Sequence, residues 1–143
     1  NGVAGLVKPL GFASSSPRSK PKAAEAISDV DGAGALRMTH DTFHHHLAGE
    51  PEIFPQLTGL VHISGVTDPA ISVDDMRDKH RVLVDRRDRI GNVDQIRDLR
   101  AAGYSGPLSF EPFAEELRAL KDPAREIGKS MSFIEAELAA KAA

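Results

Sequence analysis

An aspartate, a histidine and a glutamate each stand at or near the end of a short apolar run. Asp41 follows the run 36–38, His62 lies within 60–63, and Glu111 follows 108–110. Oxygen and nitrogen donors of these types suit Mn²⁺, Co²⁺, Zn²⁺ or Mg²⁺, and a carboxylate can also move protons as general base or acid. Each residue has a plainer reading as well. Asp41 could cap the short helix that begins at Thr42, alongside a ligand role or instead of it. His62 could be a hydrogen-bonded core histidine. Glu111 precedes Pro112 at the end of a buried strand, where a carboxylate is costly unless paired or metal-bound, and this favours function. A fourth run, 5–7, ends in Lys8-Pro9. His44, His45 and His46 follow Asp41, and His40 with His44 has the i, i+4 spacing of a helical zinc pair. His40 belongs to the strand, however, and His44 to the turn after it. One of the three successive histidines is expected in the site, the others solvated or structural.

These residues work together only if parallel strands carry them. The runs 5–7, 36–38, 60–63 and 108–110 have strand length, and stretches of helical period lie between them. Residues 20–30 place Ala23, Ala26, Ile27 and Val30 on one face. Residues 92–102 carry Val93, Ile96 and Leu99, with Asn92 and Gln95 as a capping box and Gly103 as the stop. The last helix opens at Asp122-Pro123 with the stripe Ile127, Met131, Ile134 and Leu138. Strands alternating with such helices predict right-handed βαβ units on a parallel sheet, here four of them. Such sheets gather their carboxyl ends on one face, where sites form. Segment 13–21, rich in Ser, Pro and Lys, reads as a surface loop. Segment 65–91 is long for a connection, holds a short helix signal at 72–76, and is the kind of loop that shapes sites.

Composition narrows the classes. The chain has 143 residues, enough for one domain with a core and too few for two ordinary ones. A net charge of −3 argues against a nucleic-acid binder driven by bulk charge. The absence of cysteine excludes disulfides and thiolate metal sites and fits a cytoplasmic location. No apolar run approaches the ~18 residues of a membrane span, so no membrane partner is expected. Asn1 rather than Met leads the sequence, as in a chain that begins inside a longer product.

Taken in order, the motifs resemble the carboxyl half of the xylose-isomerase-like TIM barrel superfamily of sugar isomerases and epimerases. They are most similar to the 2-keto-myo-inositol isomerase (inosose isomerase) group. Leu6-Val7-Lys8-Pro9-Leu10-Gly11 resembles the fifth barrel strand, where the family reads Leu-Glu-Pro-Leu/Val-Gly. Asp41-Thr42-Phe43-His44 resembles the sequence after the sixth, Val61-His62-Ile63 the seventh, and Ser109-Phe110-Glu111-Pro112-Phe113 the eighth. The resemblance implies an α/β chain of four βα units, with residues 1–143 forming a single half-barrel domain from strands five to eight. It implies a divalent metal (Mn, Co, Zn or Mg) held by Asp41, His62 and Glu111. His44 would hydrogen-bond the substrate, and Glu111 would move a proton beside a carbonyl through an enediolate. The implied substrate is a small keto-polyol or keto-sugar, and the implied setting is inositol or other carbohydrate catabolism.

Two departures qualify this. Lys8 stands where the family has its first glutamate, both ligand and proton carrier; an ammonium repels a metal. Four of the eight units are also missing, which leaves two open sheet edges and an expected apolar sheet face. A missing amino-terminal half or self-association is the expected remedy. The competing function is a half-barrel binding or assembly module that has lost the metal site through Lys8. The DNA-repair branch of the superfamily needs more ligands and a basic surface, which the charge does not supply.

Overall fold

The computed structural model describes residues 2–140. Four strands, β1 (Gly5–Val7), β2 (Leu36–Asp41), β3 (Thr58–Ile63) and β4 (Leu108–Phe110), form one sheet in the order β1-β2-β3-β4. Every pairing is parallel. Helices α1 (Lys20–Asp29), α2 (Thr42–Ala48), α3 (Asn92–Ala101) and α4 (Pro123–Ala140) complete the βα units. The α/β half-barrel expectation therefore holds. Among the described residues no helix is long and apolar enough to cross a membrane.

Alternation along the strands sorts side chains to two faces. On the helix side, Met38 packs with Ala23 and Ile27 of α1. Val61 and Ile63 pack with Ile96 and Leu99 of α3 and Ile134 of α4. The opposite face, the interior of a closed barrel, carries Leu6, Lys8, Arg37, Thr39, Asp41, Leu60, His62, Ser109 and Glu111. It is mostly polar, which corrects the expected apolar face. The strands crowd on this side at Gly59, where a Cβ would meet Leu6 Cδ2 at 2.8 Å and Arg37 Cβ at 3.0 Å.

Two local expectations change. The N-cap of α3 is Gly91 rather than Asn92, and no capping box forms. Asn92 is wholly buried; its amide donates to Ser64 O at 2.9 Å and accepts from Thr42 Oγ1 at 2.6 Å. Gln95 turns away, donating to Thr42 O and Ile90 O. Asn92 thus ties α2 and α3 to the end of β3, and Gln95 ties α3 to α2. The α4 stripe is also rotated. Ile134 is buried, but Ile127 and Met131 are exposed, and Ser130 and Phe133 take the packed positions instead.

Candidate active site

Asp41 ends β2 and begins α2, and its two oxygens divide the work. Oδ1 accepts from the backbone N–H groups of Phe43 and His44 at 3.0 and 3.2 Å, capping the helix. Oδ2 points into the site, where Lys8 Nζ lies at 2.8 Å and Arg81 Nη2 at 3.0 Å. Cap and site residue are thus one side chain. Burial pushes the Asp41 carboxyl up, but Arg81, His44 and Lys8 outweigh it and hold the group well below the ordinary carboxylate range.

Register brings the other two residues alongside. Asp41 pairs with His62 across β2 and β3, and His62 with Ser109 across β3 and β4, so Glu111 emerges beside them. One donor atom from each of Asp41, His62 and Glu111 lies within 4.8 Å of the others. His62 Nδ1 is 3.0 Å from Glu111 Oε1. The side chains of Lys8, His62 and Glu111 retain 24%, 19% and 25% exposure, so a ligand can reach them.

Arg81 was not singled out from sequence. It is 1% exposed and lies at the end of the 3-10 turn Asp78–His80 in the long connection. Nη2 donates to both Asp41 Oδ2 and Glu111 Oε2, the latter at 2.8 Å. Nε donates to Ser64 Oγ at 2.9 Å. Nη1 reaches Asp78 Oδ1 at 3.2 Å. The guanidinium lies over Phe43 at 5.0 Å and Phe113 at 4.9 Å, a cation–π sandwich. The one available signal was an arginine followed by Val82-Leu83-Val84 inside a loop already expected to shape the site.

The histidines separate. His40 faces the helices, with Nε2 2.9 Å from Gln95 Oε1 and its ring 4.8 Å from that of His45. His45 Nδ1 contacts the buried Lys20 Nζ. No His40–His44 zinc pair exists. His46 is half-buried. His44 is the one on the site side, in edge contact with Phe12 and Phe43, and its buried Nδ1 has no hydrogen-bond partner among the described residues. Burial pushes His44 down, opposed by Asp41 and aided by Arg81 and Lys8. Gly11 lets the connection after β1 lie against α2 here, since a Cβ would fall 2.1 Å from His44 O. A cavity of about 820 Å³ opens beside the site, lined by residues that include Phe12, Arg18, Met76 and Asp78.

The donor types and spacing of Asp41, His62 and Glu111 suit a divalent ion. Lys8 does not. Its Nζ stands among the three donor atoms, at 2.8 Å from Asp41 Oδ2, 2.5 Å from Glu111 Oε2 and 3.3 Å from His62 Nδ1. A divalent ion ~3 Å from an ammonium is repelled by on the order of 10 kcal/mol at an effective dielectric near 20. Two carboxylates already face two cations, Lys8 and Arg81. The residues as arranged do not fit a metal ion.

Residues 1–137 match the family described as "Xylose isomerase-like TIM barrel". Among curated proteins, none matches the sequence. Among solved structures, a xylose isomerase domain containing protein from Salmonella typhimurium LT2 is 33% identical with a TM-score of 0.83, over 94% of this chain and 50% of that one. The IolI protein with a binding zinc atom is 19% identical with a TM-score of 0.78, over 93% of this chain and 49% of its own. A xylose isomerase domain protein from Alicyclobacillus acidocaldarius is 24% identical with a TM-score of 0.73, over 96% and 50%. The last two likenesses concern fold. The chain spans about half the length of each of these structures.

Proposed function

Because the chain belongs to the xylose isomerase-like TIM barrel family, we propose that it carries the ligand-holding half of a barrel that acts on a keto-polyol or keto-sugar. The substrate class is of the 2-keto-myo-inositol type, and the reaction is proton transfer beside the carbonyl through an enediolate. One observation carries this reading: Asp41, His62 and Glu111 converge at the carboxyl ends of adjacent parallel strands. Glu111 is assigned the proton, as the accessible carboxylate of the group. His44 is assigned a hydrogen bond to a substrate oxygen, from its place in the first turn of α2 beside Asp41. Four further βα units, from an amino-terminal half or a second copy, would close the barrel across the free edges of β1 and β4.

Lys8 favours a second reading, a module that binds the polyol without turning it over. Both are tested by incubating the full chain in D2O with 2-keto-myo-inositol and following the ligand by NMR. Deuterium entering beside the carbonyl supports the isomerase reading. Saturable binding without exchange supports the module. Neither binding nor exchange removes both. In the same assay His44→Ala is expected to weaken polyol binding about tenfold, the loss of one well-made hydrogen bond. Binding as tight as that of the unaltered chain removes His44 from the ligand.

A further inference from the structure

Lys8 is more than a departure from a pattern, because its ammonium lies where the three converging donors meet. Nζ is 2.8 Å from Asp41 Oδ2 and 2.5 Å from Glu111 Oε2. Arg81 Nη2 touches the same two oxygens at 3.0 and 2.8 Å. These carboxylate oxygens are therefore already held by two fixed cations. A lost ligand alone would leave a gap that water or a weakly held ion could fill. Here the long lysine side chain reaches into the centre instead and bonds the groups around it.

The protons of the ammonium can be followed one by one. One goes to Asp41 Oδ2 and one to Glu111 Oε2. The third has His62 Nδ1 at 3.3 Å. That nitrogen also faces Glu111 Oε1 at 3.0 Å. An ammonium only donates, so in its hydrogen bond with Lys8 the Nδ1 atom accepts, and the Glu111 contact is a close approach rather than a second hydrogen bond. The three ammonium N–H groups thus face Asp41, Glu111 and His62, the contact to His62 being the longest, on a side chain that keeps 24% of its surface open.

We propose that Lys8 is the resident cation of this site, that it takes the place of a divalent metal, and that a carbonyl or hydroxyl oxygen of the ligand takes over its longest hydrogen bond, the one to His62 Nδ1. The inference deepens the functional reading above and rests on it for the ligand class. Its exclusion of metal stands on the geometry alone. Arg81 fixes the carboxylates from the buried side while Lys8 meets the ligand from the open side. The pocket is selective for neutral, oxygen-rich molecules, because its charges already balance and it presents donors rather than a Lewis acid.

The test uses Mn²⁺ alone as the probe, with free ion counted by electron paramagnetic resonance. The full chain, titrated with Mn²⁺ to about 100 µM, is expected to leave the ion free. Lys8→Gln removes the cation at similar length and should bind Mn²⁺ at least tenfold more tightly. Lys8→Glu, which adds a ligand, should bind more tightly still. Circular dichroism checks that each variant folds. One equivalent of Mn²⁺ bound by the unaltered chain overturns the proposal without reference to any variant. Folded Lys8→Gln and Lys8→Glu binding no better than the unaltered chain also overturn it. The Mn²⁺ result is independent of the exchange assay: tight Mn²⁺ binding leaves the polyol reading standing, and failure of polyol binding leaves the cation result standing.

Discussion

Arg81→Met is expected to lower the unfolding free energy by about 3 kcal/mol, the lower end of the range for breaking a buried ion pair. The guanidinium is 1% exposed, and its partner Asp41 is buried as well. Removing the arginine leaves the Asp41 carboxylate with Lys8 as its remaining cationic contact, and leaves Ser64 Oγ without its donor. Lys8 compensates in part, so the loss sits at the low end. A methionine retains much of the stem volume between Phe43 and Phe113, so the effect reads the charge and its hydrogen bonds more than a cavity. Arg81→Lys is expected to recover little. One ammonium cannot reproduce a planar fork that reaches Ser64, Asp78, Asp41 and Glu111 at once. Urea denaturation of the three proteins measures this. A loss under 1 kcal/mol for Arg81→Met would mean that Lys8 alone sustains the carboxylates.

Asp41, His62 and Glu111 were legible because strand period and parallel pairing are properties of local pattern: residues that end neighbouring strands end at the same face. Arg81 was not legible, because segment 65–91 has no period from which direction could be read. Its place is set by tertiary contacts, with Phe113 N and Ala114 N both donating to Arg81 O at 2.9 Å. Asn92 was misread for a related reason. Asn followed three residues later by Gln fits a cap, but a buried amide between Ser64 O and Thr42 Oγ1 satisfies more groups than a solvent-side cap does. In α4 the period favoured Met131, because the row one residue earlier holds Glu126, Ser130, Phe133 and Glu137; Ser130 is packed instead because its hydroxyl donates to Val84 O at 2.6 Å, a tertiary contact that the period does not encode. Lys8 was legible as a misfit. That its ammonium would fill the centre of the site depended on the side chain's reach, which spacing does not encode.

Acidification is expected to destabilise the fold through the histidines on the helix side of the sheet. His40 is wholly buried; burial, then the nearby Lys20, push it down to about 3, against the opposing hydrogen bond that it donates to Gln95 Oε1. Burial and Lys20 push His45 down as well, against Glu50. The groups facing the pair are Gln95, Lys20 and Glu50, with Lys20 Nζ 3.0 Å from Glu50 Oε1. Both histidines are neutral in the folded chain and titrate near 6.5 when unfolded. Below that value the unfolded chain binds protons that the folded chain refuses. Stability is therefore complete above about pH 6.5 and is lost as the pH falls from there toward the lowered values, by up to ~1.4 kcal/mol per unit for each histidine. Asp41 opposes nothing in this window, since its carboxyl stays ionised well below it. Between pH 7.5 and 5.0 the two histidines together should remove about 4 kcal/mol. Urea midpoints across that range give the slope, and His40→Asn, which removes one of the two titrations while retaining a polar partner for Gln95, should reduce it by about half. An unchanged slope in the variant would place the proton uptake elsewhere, with His46, which burial also lowers, the next group to replace.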